Sequence, residues 1–155
     1  MDLILRGATL PDGRTGIDIA IKGGKIAALE AGIGAGAARE IDVSGRLVTP
    51  PFIDAHFHMD ATLTYGYPRY NESGTLLEGI ELWHDLKPSL SHDWYIERAL
   101  EYCDWAVGRG LLAIRSHVDT TDPTLGAVAA LVEVREQVKD YIDLQLVAFP
   151  QDGYL

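Results

Sequence analysis

The sequence has 155 residues, 47% apolar and 23% charged, the usage of an ordinary soluble globular chain long enough to bury a core. Lys and Arg number 13 against 23 Asp and Glu, a formal charge of −10, which argues against nucleic acid and an anionic membrane surface as partners because phosphate contacts need clustered cations. A single cysteine, Cys103, excludes an intrachain disulfide and fits a reducing, cytoplasmic compartment, no apolar run approaches the roughly 18–20 residues of a membrane span, and the first residues, Met1 to Gly7, lack the pattern of a secretory signal.

Up to about residue 49 the chain reads as short strands and turns. Leu3 and Leu5, then Ile17, Ile19 and Ile21, alternate at the strand period of two. Pro11-Asp12-Gly13 and Gly23-Gly24 supply turn chemistry between such runs. The Gly/Ala-rich stretch 31–38 reads as a flexible surface loop. Ile41-Asp42-Val43 leads through the Ser44-Gly45 turn to Arg46-Leu47-Val48. Residues 1–49 are therefore expected to form a small antiparallel β unit.

From residue 50 the pattern changes to alternating strands and helices. Phe52 to His56 reads as a short strand ending in polar residues. Ser91 to Val107 reads as a helix burying Ile96, Leu100, Cys103 and Val107, stopped by Gly108 and Gly110. That places Cys103 inside as a structural thiol. Leu111 to Ile114 is an apolar strand run leading to Arg115-Ser116-His117-Val118-Asp119. Asp122-Pro123 predicts a helix start, with Leu125, Val128 and Val132 facing inward. Leu144 to Phe149 reads as a third strand, ending at Pro150-Gln151. Trp83, Trp94 and Trp105 read as core or interface aromatics, and His84 and His92 as surface residues.

The βαβαβ order implies a parallel sheet or barrel. Polar residues cluster at the C-terminal end of each strand, where the sites of (β/α)₈ barrels lie. A whole barrel takes about 250 residues, so three of its strands fit here and eight do not. Residues 50–155 are either the first part of such a barrel or a smaller open α/β domain.

His56-Phe57-His58 carries the sharpest chemical signal. Residues i and i+2 of a strand share a face, so both imidazoles can converge on one divalent ion. The plain alternative is a pair of surface or hydrogen-bonded histidines. His117 and Asp119 have the same spacing at the next strand end, with a direct role or a packing role both open. One cysteine cannot supply the P-C-x-x-C of the cytidine-type zinc deaminases, and neither G-x-S-x-G nor G-x-G-x-x-G occurs.

The run from Asp42 to His58, through Pro50-Pro51 and ending in H-x-H, resembles the entry segment of the amidohydrolase superfamily. Pro50-Pro51, Asp60 and the run Asn71 to Ile80 resemble its cytosine deaminase branch, as do Arg115 to Asp119 and Asp143 to Gly153. Met59 departs from the commoner Leu, a volume-conserving change. The resemblance implies a small β-sandwich portion over 1–49 joined to the first three strands of a barrel over 50–155. It implies one divalent metal, iron or zinc, with His56 and His58 as two of its ligands. It places Gln151 as the amide that reads a pyrimidine edge and Leu76 as a wall of the base pocket, with His117 a further candidate for substrate contact. The remaining ligands, and the acid/base Glu and His, belong to later strands, so no catalytic residue is expected within these 155. The implied reaction is hydrolytic deamination of a small nucleobase-like substrate, cytosine first, by a homo-oligomeric parent enzyme. Creatinine, isoguanine and triazine branches are the alternatives within the family. A catalytically inactive fragment or interaction domain is the alternative outside it.

Overall fold

The computed structural model describes residues 1–153 and has a mixed α/β fold whose contacts divide at Pro50/Pro51. The first unit holds four strands: β1 (Leu3–Ala8), β2 (Ile17–Lys22), β3 (Lys25–Glu30) and β4 (Arg39–Asp42). They form one sheet in the order β3-β2-β1-β4. Gly23 and Gly24 both adopt positive φ, 58° and 72°, as the two-residue turn between β2 and β3 requires. β1 is antiparallel to β2 and parallel to β4, so the expectation of a purely antiparallel unit is corrected. The reason lies in the 31–38 loop, which carries the chain from β3 to the far side of β1. That loop is fastened rather than loose. The Arg6 guanidinium donates to the carbonyls of Ile33 (2.6 Å) and Ala35 (3.1 Å) and to the carboxylates of Asp18 and Glu40. Asp18 in turn accepts from the amides of Gly7 and Ile33.

The second unit contains β5 (Phe52–Phe57), α1 (Leu76–Leu86), α2 (His92–Gly108), β6 (Leu111–Asp119), α3 (Gly126–Val138) and β7 (Asp143–Phe149). A 3₁₀ turn over Met59–Ala61 follows β5, and another over Lys87–Ser89 follows α1. The three strands are parallel in the order β5-β6-β7. Strand alternation sends Ile114, Ser116 and Val118 into the core, while Arg115 stays exposed and donates to Gln145 of β7. α2 and α3 supply much of that core through Tyr95, Ala99, Cys103, Ala106, Ala130, Leu131, Val134 and Val138. Cys103 is fully buried, and burial pushes its thiol up to about 11, so it is an inert apolar filler.

Three local expectations change. α1 was not foreseen from apolar periodicity, although Thr75-Leu76-Leu77-Glu78 is a capping-box sequence: the Thr75 hydroxyl accepts from the Glu78 amide. α3 starts at Gly126, not at Pro123. The Asp122 carboxylate instead closes a turn on the Thr124 amide (2.9 Å) and hydroxyl (2.6 Å), and Leu125 takes a left-handed φ of 52° that no right-handed helix accommodates. The buried faces of α2 and α3 match the expectation only in part: Cys103 is buried and Ile96, Leu100 and Val128 pack against the core. Val107, Leu125 and Val132 are exposed, and alanines lie inward where the two helices pack closely. Trp105 is likewise 58% exposed, whereas Trp83 and Trp94 pack partly buried against the core. Among the described residues no helix is long and apolar enough to cross a membrane.

Candidate functional site

The C-terminal ends of β5, β6 and β7 bring their aromatic residues together. His56 and His58 lie with ring centroids 5.3 Å apart. His117, from β6, stacks flat on His56 at 4.0 Å and 17°. Phe149, the last residue of β7, meets His58 and His117 edge-on at 5.2 and 5.9 Å. Parallel pairing produces this cluster, because β6 is hydrogen-bonded to β5 on one side and β7 on the other, bringing the three strand ends side by side.

Two buried hydrogen bonds fix the chain just after His58. The Met59 amide donates to the Ser116 hydroxyl at 3.0 Å, and the Asp119 amide donates to the Asp60 carboxylate at 2.8 Å. Asp60 is only 3% exposed, and burial pushes its carboxyl up to about 6 despite that amide. Burial also holds His58 below the usual imidazole range, reinforced by neighbouring His56 and opposed by the backbone of His117. His117 is lowered in the same way, by burial and then by His56 and His58. Both rings are therefore neutral at pH 7, the state in which imidazole nitrogen is a metal ligand. The Nδ1 of His117 is the buried side-chain polar atom without a partner among the described residues.

These residues fit a divalent metal only as part of a ligand set. His56 and His58 are the two that would hold it. Among the described residues no group of three or more His, Cys, Asp or Glu is placed to hold an ion, whereas a catalytic metal normally takes three protein ligands and keeps an open position.

Gln151 lies half-buried in the turn after β7, where the Gly153 amide donates to the Pro150 carbonyl at 3.0 Å. Leu76 is the first residue of α1 and is 78% exposed. The structure thus gathers His56, His58 and His117 into one cluster, while Gln151 and Leu76 sit on separate segments.

Sequence reasoning missed a polar network beside the cluster. Asp119, 4% exposed, accepts from the Trp83 indole (3.2 Å), the Lys87 ammonium (2.9 Å) and both the amide and hydroxyl of Thr121. The hydrogen bonds and the ammonium outweigh burial and hold the Asp119 carboxyl below its usual range. Lys87 is 32 positions from Asp119, and no local pattern signals such a pair. A cleft of about 460 Å³ opens beside Lys87, lined also by Tyr95, Thr121, Asp122 and Asp152.

A profile of the amidohydrolase family matches residues 39–155. N-isopropylammelide isopropyl amidohydrolase of Pseudomonas sp. (strain ADP) is 35% identical over 99% of this chain and 39% of its own length. The structure of 5-methylcytosine deaminase from Klebsiella pneumoniae liganded with phosphonocytosine is similar with a TM-score of 0.88 and 40% identity, over 97% of this chain and 37% of that one. N-isopropylammelide isopropylaminohydrolase from Burkholderia multivorans is similar with a TM-score of 0.76 and 26% identity, over 100% of this chain and 39% of that one. The chain therefore spans about two fifths of the length of these relatives.

Proposed function

This chain belongs to the amidohydrolase family, and from that membership we propose that it is the N-terminal part of a metal-dependent deaminase acting on a small heterocycle, cytosine first. The observation that carries the reading is the meeting of His56 and His58 at one strand end, with neutral His117 stacked against His56. In this reading β5, β6 and β7 are the first three strands of a (β/α)₈ barrel, and their C-terminal ends form one side of its active site. His56 and His58 hold the metal, and the further ligands and the acid/base groups come from later strands. The 155 residues alone then have no deaminase activity.

A divalent ion held there supplies activated water. The overall change is hydrolysis: water oxygen bonds to C4 of the ring, the bond from C4 to the amino nitrogen breaks, and uracil and ammonia leave. Gln151 presents one acceptor and two donors to the edge of the base. His117 contributes a flat, water-excluding surface next to His56. Leu76 lines the pocket once the barrel is complete.

A second reading has its own support. The 35% identity to an isopropylammelide hydrolase extends over 99% of the chain, so removal of an alkylamine from a triazine ring is the rival within the same chemistry. Purified full-length enzyme, supplied separately with cytosine, 5-methylcytosine and N-isopropylammelide, separates the two by its kcat/KM values. Preference for a cytosine supports the first reading. Preference for the triazine replaces it.

A further inference from the structure

Lys87 is 11% exposed at its side chain, yet each of its three ammonium hydrogens has an acceptor: Asp119 at 2.9 Å, the Thr121 hydroxyl at 3.0 Å and Asp152 at 3.2 Å. A buried lysine is costly unless it is paired and fully hydrogen-bonded, and this one is both. Its place on the chain suits it. Lys87 is the C-cap residue of α1, where the exposed carbonyls favour a cation. One turn earlier Trp83 donates to the same Asp119 oxygen. The last turn of α1 is thereby docked on the end of β6, whose Asp119 amide is in turn held by Asp60, two residues after His58. On its other side the ammonium reaches Asp152, which neighbours Gln151; the Thr121 hydroxyl, whose one proton goes to Asp119, lies 3.0 Å from the same Asp152 carboxylate. Three segments far apart in sequence meet at one nitrogen.

We propose that Lys87 is a positioning residue for substrate recognition, tying the Gln151-Asp152 turn to Asp119 and to α1 so that Gln151 is held at a fixed place relative to the end of β6. The proposal rests on the reading that Gln151 contacts the base. Displacing a positioning group by about 1 Å can cost on the order of 100-fold in rate, so the tether matters kinetically although Lys87 itself touches no substrate.

The test uses the full-length enzyme with three variants: Asp152→Ala, Lys87→Met and Gln151→Ala. Asp152→Ala removes the outer half of the tether and keeps the buried Lys87–Asp119 pair, so it leaves the fold intact even where Lys87→Met, which strands a buried Asp119, does not. Hydrogen exchange at the Gly153 amide should speed up about tenfold or more in Asp152→Ala, because the turn is no longer held. The same variant should lower kcat/KM for cytosine about 10- to 100-fold, chiefly through KM, with metal content unchanged. That kinetic loss should vanish when Gln151 is already alanine, a result a merely structural role would not give. Unchanged exchange at Gly153, or an undiminished loss in the Gln151→Ala background, overturns the proposal. Wild-type kinetics in Gln151→Ala alone would instead remove the base-recognition reading, and the exchange measurement, which needs no substrate, still decides whether Lys87 holds the turn: exchange at Gly153 should speed up in Lys87→Met as it does in Asp152→Ala.

Discussion

The His117 imidazole lies flat on that of His56, centroids 4.0 Å apart and planes within 17°, with its own Nδ1 unpartnered among the described residues. The stack covers one face of His56, and in the proposed reading it orients that ring as a metal ligand. Groups that orient a metal-binding histidine typically contribute about 10–100-fold in metal affinity. His117→Ala in the full-length enzyme should weaken metal binding by about that factor, while His117→Phe, which keeps a flat ring against His56, should retain most of it. A competitive chelator titration measures both. Equal affinities for the two variants would show that the stack has no such role.

His56 and His58 together should be indispensable for the ion. Replacing both with alanine removes two imidazoles from one strand end without disturbing the Met59–Ser116 hydrogen bond that fixes the following turn. Bound metal and activity should disappear together in the double variant, with the thermal transition of the apo-protein largely preserved. Stoichiometric metal by elemental analysis in that variant would sink the ligand assignment.

In the proposed reading Gln151 is the residue that favours cytosine. Losing one partner of a buried polar contact leaves the other unpaired, so Gln151→Ala should cost about 2–4 kcal/mol of transition-state binding. That is a fall of roughly 30- to 1000-fold in kcat/KM. Steady-state deamination by the full-length enzyme, with metal assayed in the same preparation, checks it. A variant within a factor of two of wild type would identify Gln151 as a turn residue alone.

Glu78 gives a pH-dependent test of the start of α1. Hydrogen bonds from the Ser73 hydroxyl and amide, then from Arg69, hold its carboxyl down at about 2, below the ordinary 4.5. A carboxyl depressed in the folded state binds fewer protons there than in the unfolded chain. Its stabilising contribution is thus complete above about pH 4.5 and is lost as pH falls toward 2. Glu78→Gln should therefore be less stable than wild type at neutral pH, and the gap should narrow through that window. Urea unfolding midpoints at several pH values report it, and a gap independent of pH would rule out the carboxylate as its source.

Much of this architecture could be read from the chain beforehand, and the failures have physical causes. The strands of the second unit were legible because Phe52 to Phe57, Leu111 to Asp119 and Asp143 to Phe149 are apolar runs bounded by turn residues. The helix from Ser91 was legible from its apolar spacing and its glycine stop, and the structure makes Ser91 its cap, the hydroxyl accepting from the Trp94 amide. The inward faces of α2 and α3 were only partly legible, because alanines such as Ala99 and Ala130 score weakly in a periodicity argument yet are fully buried. The start of α3 was misread because an Asp before a Pro serves a turn as well as a helix. The parallel placement of β4 depends on Arg6 gathering a distant loop, and the Lys87 network on partners up to 65 positions away. Both are tertiary facts with no local signature.

β6 separates β5 from β7, and it is the strand with which β5 is paired. The ribosome must therefore synthesise about 60 residues beyond His58 before Asp119 is made and the neighbouring strand is complete. At roughly 5–20 residues per second that interval is about 3–12 s. Throughout it the two imidazoles sit on an unpaired, unoriented piece of chain, and Met59 and Asp60 lack the Ser116 and Asp119 groups that later lock them. The arrangement thus imposes an order on biogenesis: His56 and His58 gain the neighbours they have in the folded chain only after the middle strand has emerged.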